Sequence, residues 1–212
     1  LTEGVTPTGS QLSVTDISAT AAQYGDFIIL TDELLTETED PILMELNDIL
    51  GQQAGNTFDQ LCRDTLVAGT TIQYASTATA RNEVTAAMKM TVAEVREAVR
   101  TLKINEAQKI TSMVGPTPGV GTAAIDACYI MIVHPKTTFD LKADSEFLRV
   151  QDYPNQSNVM PGEVGSIDEV RCIETNNAKV FAGAGLTGAD VYISLILATN
   201  AYGITRIAGN AL

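Results

Sequence analysis

His134 is the sole histidine and therefore the first side chain to weigh for proton transfer near neutral pH. It stands at the end of an apolar run, directly before Pro135, and the nearby Asp140 could orient it as a general base. With no second histidine, a structural role is the simpler reading. The three cysteines, Cys62, Cys128 and Cys172, are too far apart for a zinc pattern and odd in number, which fits no disulfide framework. They read as small buried hydrophobes. Asp16, Asp26 and Asp32 could in principle gather round a cation, but the glycine and ligand spacing of a calcium loop is missing. The loop Gly115 to Gly121 has neither the GxGxxG spacing nor a following Lys-Ser/Thr, so it offers no phosphate cradle. No serine occupies a GxSxG elbow. No catalytic, cofactor-binding or metal-binding residue is assigned, no cofactor is expected, and the chain does not read as an enzyme.

The elements that would have to position such groups are irregularly ordered. Residues 1 to 30 read as extended, with alternation at Ser10 to Thr15 and β-formers at Gln23 to Leu30, punctuated by Gly4, Pro7, Gly9 and Gly25. This Thr-rich ribbon has too few large apolar side chains for a core of its own and must lie on something else. Residues 41 to 68 read as one helix about 40 Å long, with Asp40 as N-cap, Pro41 in the first turn and Gly69 past the end. Gly51 and Gly55 share a face of it and imply a close crossing or a bend. Residues 70 to 90 are strand or loop. Thr91 and Glu94 form a capping box for a second helix with Val92, Val95, Val99 and Leu102 on its apolar stripe.

Residues 114 to 122 are a Gly/Pro loop, and Ala127 to Val133 is a buried strand ended by His134-Pro135. A short helix spans Lys136 to Ala143, and residues 144 to 166 are irregular. Strands follow at Val170 to Glu174 and Lys179 to Ala182, joined by a turn at Asn176-Asn177, then at Val191 to Thr199 and Tyr202 to Ile207. The order predicts α+β with mixed sheets. No run approaches the roughly 18 apolar residues of a membrane span, and the opening at Leu1 has no basic n-region, so no signal peptide is expected.

Charge is segregated. The net charge is -13, and eleven acids precede the first basic residue, Arg63. These are Glu3, Asp16, Asp26, Asp32, Glu33, Glu37, Glu39, Asp40, Glu45, Asp48 and Asp59. The acidic third cannot form ion pairs within itself. It is either a solvated face or half of a subunit contact. Tight binding to a phosphate backbone needs clustered Lys and Arg and is disfavoured.

Glu3-Gly4-Val5-Thr6-Pro7, Val14-Thr15-Asp16-Ile17, Gln23-Tyr24-Gly25-Asp26-Phe27 and Leu30-Thr31-Asp32 resemble the major capsid proteins of coliphage N-four-like tailed phages. The similarity continues through Arg63-Asp64, Val67-Ala68-Gly69-Thr70, Tyr74, Val99-Arg100-Thr101-Leu102-Lys103, Val133-His134-Pro135, Gly162 to Ile167, Val170-Arg171 and Ala201-Tyr202-Gly203. It implies the Hong Kong 97-type capsid fold. Residues 1–30 would be an extended β-loop over a neighbouring subunit. Residues 31–90 would be a peripheral domain with a spine helix at 41–68. Residues 91–200 would be an axial domain, and 201–212 a return toward the peripheral sheet. Members usually carry a further N-terminal arm and a closing C-terminal strand. Neither is expected in this sequence, which would leave a sheet edge unpaired.

The implied function is a structural major capsid protein that self-assembles, through pentamers and hexamers, into the icosahedral shell around phage double-stranded DNA. The DNA would be confined without sequence-specific contacts. Portal, scaffold or decoration proteins are the further implied partners, with no membrane partner. The implied location is the virion, after synthesis in the host bacterial cytoplasm. Arg96, Arg100 and Lys103 are the candidates to meet the acidic third across a subunit contact. The alternatives are a bacterial nanocompartment shell of the same fold, an enzyme using His134, and a surface adhesin.

Overall fold

The apolar run near residue 130 becomes β1, Tyr129–Val133, whose burial alternates along the strand. It is paired on both sides in a five-stranded sheet of order β2-β3-β4-β1-β7. Here β2 is Leu148–Arg149, β3 Glu163–Ile167, β4 Val170–Glu174 and β7 Leu195–Leu197. β1 runs parallel to β4, with Tyr129 opposite Val170 and Val133 opposite Glu174, and antiparallel to β7. The sheet is therefore mixed, as expected. A separate two-stranded sheet joins β5, Val180–Phe181, to β6, Val191–Tyr192. The computed structural model describes residues 12, 14, 18, 20, 22–37, 41–111, 127–153 and 159–204.

One face of the larger sheet makes the core. Tyr129, Met131 and Val133 alternate inward with Val170, Cys172 and Ile167. Helix α3, Val92–Ile104, covers them with Val92 and Val95, and helix α4, Pro135–Leu141, adds Leu141. Each such burial contributes about 1.5–3 kcal/mol. Two of the buried hydroxyls in this region donate to carbonyls, Tyr129 to Ala107 (2.9 Å) and Thr138 to His134 (3.3 Å). The expected capping box is present: the Thr91 side chain accepts from the Glu94 N–H and Glu94 accepts from the Thr91 N–H.

Helix α2, Ile42–Val67, is continuous for 26 residues and has no buried residue. Pro41, not Asp40, stands at its N-cap, with no side-chain cap, and Asp40 lies outside the described residues. The Pro41 carbonyl accepts from Met44 and Glu45 instead. A Cβ at Gly51 or Gly55 would meet nothing within 4 Å, so no described part of the chain crosses there. A short helix α1, Asp32–Glu37, precedes it, with Asp32 and Glu33 in its first turn. Residues 22–30 take no regular secondary structure, and Ser10 to Thr15, residues 114–122 and the end of Tyr202 to Ile207 fall largely or wholly outside the described residues. By contacts the chain divides into two units, Leu1–Asp40 with Ile204–Leu212, and Pro41–Gly203.

Three expectations are corrected. Residues 144 to 166 are not irregular, because they contain β2 and β3. The turn at Asn176-Asn177 does join two strands, although they belong to different sheets: β4 pairs with β3 and β1, whereas β5 pairs with β6. Val191 to Thr199 is not one strand. It changes sheets after Tyr192, where the Ile193 N–H donates to the Lys179 carbonyl (3.0 Å) before Leu195 joins β1. The described part of the last expected strand, residues 202–204, is exposed and unpaired.

Candidate functional site

His134 is placed by the strand-to-helix corner between β1 and α4. It caps α4, its Nδ1 accepting the Lys136 N–H at 3.2 Å. Its ring lies against Tyr192, with centroids 4.9 Å apart. The Lys136 ammonium donates to the Tyr192 hydroxyl at 2.7 Å. Asp140 is turned to another partner, Lys89, at 2.8 Å. The geometry thus gives His134 a capping and packing role and does not pair it with the carboxylate expected to orient it.

The cysteines separate by environment. Cys128 and Cys172 are buried as expected, and burial, reinforced by the charge of Glu163, pushes the Cys172 thiol up to about 12. Cys62 is exposed on α2, against the expectation of three buried hydrophobes, on a helix none of whose residues is buried. Among the described residues no group of three or more His, Cys, Asp or Glu is placed to hold a metal ion. Asp16 and the loop Gly115 to Gly121 lie outside the described residues. The Asp26 carboxylate accepts the Phe27 N–H at 2.8 Å, and Asp32 opens α1.

The basic stripe of α3, expected to meet the acidic third across a subunit contact, has acidic partners within the chain. Arg96 grips Asp168 in the β3–β4 turn through Nε (2.6 Å) and Nη2 (3.3 Å), and reaches Glu146 through Nη1. Lys103 meets Glu169 at 2.6 Å, with Lys109 on its other oxygen at 3.0 Å. Arg100 pairs with Glu97 one helical turn away. The cations hold Asp168 and Glu169 below the usual carboxylate range. Periodicity placed the stripe correctly but could not show that a turn far along the chain supplies its acids.

Two constellations escaped the sequence reading. Glu163 on β3 is a fully buried carboxylate, accepting from the Tyr153 hydroxyl and the Met160 N–H, both at 2.9 Å, with Arg171 at 3.6 Å. Burial, chiefly, pushes the Tyr153 phenol up to about 12. The second is the clamp on α2. The Asn177 amide donates to Asn56 (2.8 Å) and Asp59 (2.9 Å), its carbonyl accepts from Arg63 (2.6 Å), and Lys179 pairs with Asp64 (3.0 Å). This clamp holds the C-terminal half of α2, while Leu43, Met44, Ile49 and Phe58 stand exposed along the helix. A large exposed apolar surface on a well-packed body is the feature that calls for a partner chain.

A phage capsid protein family model matches residues 14–207, and the chain belongs to that family. It is a phage structural protein of the capsid. No curated protein matches the chain. Among solved structures it is similar to the capsid of Ralstonia phage GP4, with a TM-score of 0.53 and 14% identity over 77% of this chain and 53% of that one. The head structure of Helicobacter pylori bacteriophage KHP40 also matches, with a TM-score of 0.45 and 22% identity over 69% and 38%. The chain thus spans about half the length of the Ralstonia phage protein. The likeness to the first structure bears on the fold, which is a mixed helix-and-sheet capsid architecture.

Proposed function

We propose that this chain is a major capsid protein of the Hong Kong 97 type that assembles with copies of itself into an icosahedral shell around double-stranded DNA. The observation that carries this reading is α2. A helix of 26 residues with no buried residue, bearing Leu43, Met44, Ile49 and Phe58 on its surface, wastes apolar area unless other copies cover it. In this reading α2 is the spine helix. Residues 1–30 are the extended loop laid over a neighbour, 31–90 the peripheral domain and 91–200 the axial domain. Residues 201–212 return toward the peripheral sheet. Many modest contacts per subunit then stabilise the closed shell through multivalency.

The acidic balance fits DNA held by confinement, without specific base contacts. Portal, scaffold and decoration proteins are the remaining partners in this reading, and the shell is built in the host cytoplasm. Deleting residues 1–30 tests it: shells are lost while the remaining body keeps its far-UV circular dichroism. Intact shells from that deletion contradict it.

A further inference from the structure

Asn177 lies between β4 and β5, where the chain passes from the five-stranded sheet to the two-stranded one. Its backbone is fixed there: its N–H donates to the Thr175 hydroxyl at 3.2 Å, and the next residue, Ala178, is buried. From this point its side-chain amide reaches α2, donating to Asn56 Oδ1 at 2.8 Å and to Asp59 Oδ2 at 2.9 Å. An ionised Asp59 can only accept, so the amide nitrogen must be the end that faces it. The Asn177 carbonyl accepts from Arg63 Nη1 at 2.6 Å. Asn56, Asp59 and Arg63 stand at i, i+3 and i+7, so a single residue grips one face of α2 along its length. Asp59 belongs to the acidic third of the chain, and a neutral amide satisfies its carboxylate without cancelling its charge.

A helix in a globular body is ordinarily seated by a buried apolar stripe. No residue of α2 is buried. Leu61, Leu66 and Val67 near its end, and Ile42, Leu46 and Leu50 near its start, are half-buried, and every residue from 51 to 60 is exposed. Apolar contact holds without direction. An amide donating to two acceptors one turn apart does have direction, and it fixes both the tilt of the helix and its rotation.

Both settings bear on the exposed apolar side chains. Phe58 follows Asn56 by two residues, about 200° round the helix. With Asn56 turned to the body, Phe58 is turned away from it and is 62% exposed. The helix runs on for about 20 Å from Asn56 to its start, so a swing of about 10° at the clamp would move that start by roughly 4 Å. Packed contacts are lost over much smaller gaps.

Resting on the capsid reading above, we propose that Asn177 is a positioning residue for assembly, fixing the direction and rotation of α2 so that Phe58 and the apolar side chains before it meet a second copy in register.

The test uses the full chain. Cys62 is exposed and Cys128 and Cys172 are buried, so a nitroxide reagent takes Cys62 on α2. A second label enters at the exposed position Ser145→Cys. Labelled protein is diluted into the unlabelled form of the same variant, and electron–electron resonance reads the distance within one chain. With Asn177 in place the distance distribution is narrow. Asn177→Ala is expected to broaden it and to lower particle yield about tenfold, the scale of one hydrogen bond to a charged group, with the urea midpoint at the wild-type value. Asn177→Asp is expected to do the same by setting a carboxylate against Asp59. Adding Asp59→Asn, which exchanges donor and acceptor, is expected to recover both the narrow distribution and the yield. An unchanged distribution or wild-type yield from Asn177→Ala overturns the proposal. So does a urea midpoint that falls in step with the yield, or a failure of Asp59→Asn to rescue Asn177→Asp. Each of these leaves the capsid reading standing while the wild-type protein forms particles. Absence of particles from the wild-type protein removes both.

Discussion

Gly165 passes so close to Phe147 that a Cβ built on it would stand 2.5 Å from the ring carbons Cε1 and Cζ, and 2.5 Å from the Leu148 carbonyl oxygen. No side chain fits there without moving a buried ring or a strand backbone. The contact fixes how β2 and β3 pair and seats Phe147 in the core. Gly165→Ala is expected to destabilise the fold by about 1–3 kcal/mol through overpacking. A lowered urea midpoint with an unchanged slope checks this, and a midpoint equal to wild type contradicts it.

Glu94 serves two masters at the start of α3. One carboxylate oxygen closes the capping box on the Thr91 N–H, and the other accepts the Ser76 N–H at 2.6 Å. Thr91→Ala should cost about 1 kcal/mol, the usual loss for a cap. Glu94→Ala should cost more, because it also frees the 75–78 loop. Thermal unfolding of the two variants side by side gives the order.

The buried Glu163 carboxylate is expected to be among the most sensitive polar positions. Glu163→Leu leaves Tyr153, the Met160 N–H and Arg171 without this acceptor, and breaking a buried pair on one side costs about 3–5 kcal/mol. Glu163→Gln, which keeps an acceptor oxygen, should lose distinctly less. Equal losses from the two variants would argue against the hydrogen-bonded arrangement.

Acid should loosen α3 from the β3–β4 turn. Asp168 and Glu169 sit below their ordinary values of 3.8 and 4.5, held down first by hydrogen bonds from Arg96 and Lys103 respectively. Their contribution is complete above those ordinary values and is lost as pH falls through the lower folded-state values. The pairs are about half exposed, so solvent screening keeps the contribution of each small. The difference in melting temperature between wild type and Arg96→Leu should be largest above pH 4.5 and should close only well below pH 3.8. A difference that grows on acidification contradicts this arrangement.

Much of the fold was legible where local rules and burial agree. The capping box at Thr91, the apolar run of β1 and Val170–Glu174 all appear where spacing put them, and the short helix expected at Lys136 to Ala143 is found at Pro135–Leu141. What escaped depends on distant parts of the chain. β3 carries Gly165 and the buried Glu163, both poor strand formers, and only the approach of Phe147 and the partners of Glu163 explain them. The split between β6 and β7 follows from a backbone hydrogen bond to Lys179, which no local pattern announces. The basic stripe of α3 was visible, but its acidic partners come from residues 146, 168 and 169, so its use inside the chain was not. The length of α2 was readable. That none of its residues is buried was not, because Ile42, Leu46, Ile49 and Leu50 look the same whether their cover comes from this chain or from another.

The central claim is that copies of this protein cover one another's apolar surface in a closed shell. Sedimentation velocity on the intact protein, followed by negative-stain electron microscopy of the fast fraction, tests it most directly. The account predicts closed shells or flat sheets of hexamers, and their loss in Phe58→Ser, an exposed α2 position whose change leaves the folded body intact. A protein that remains monomeric at high concentration, or shells that form as well with Phe58→Ser as without it, would contradict it.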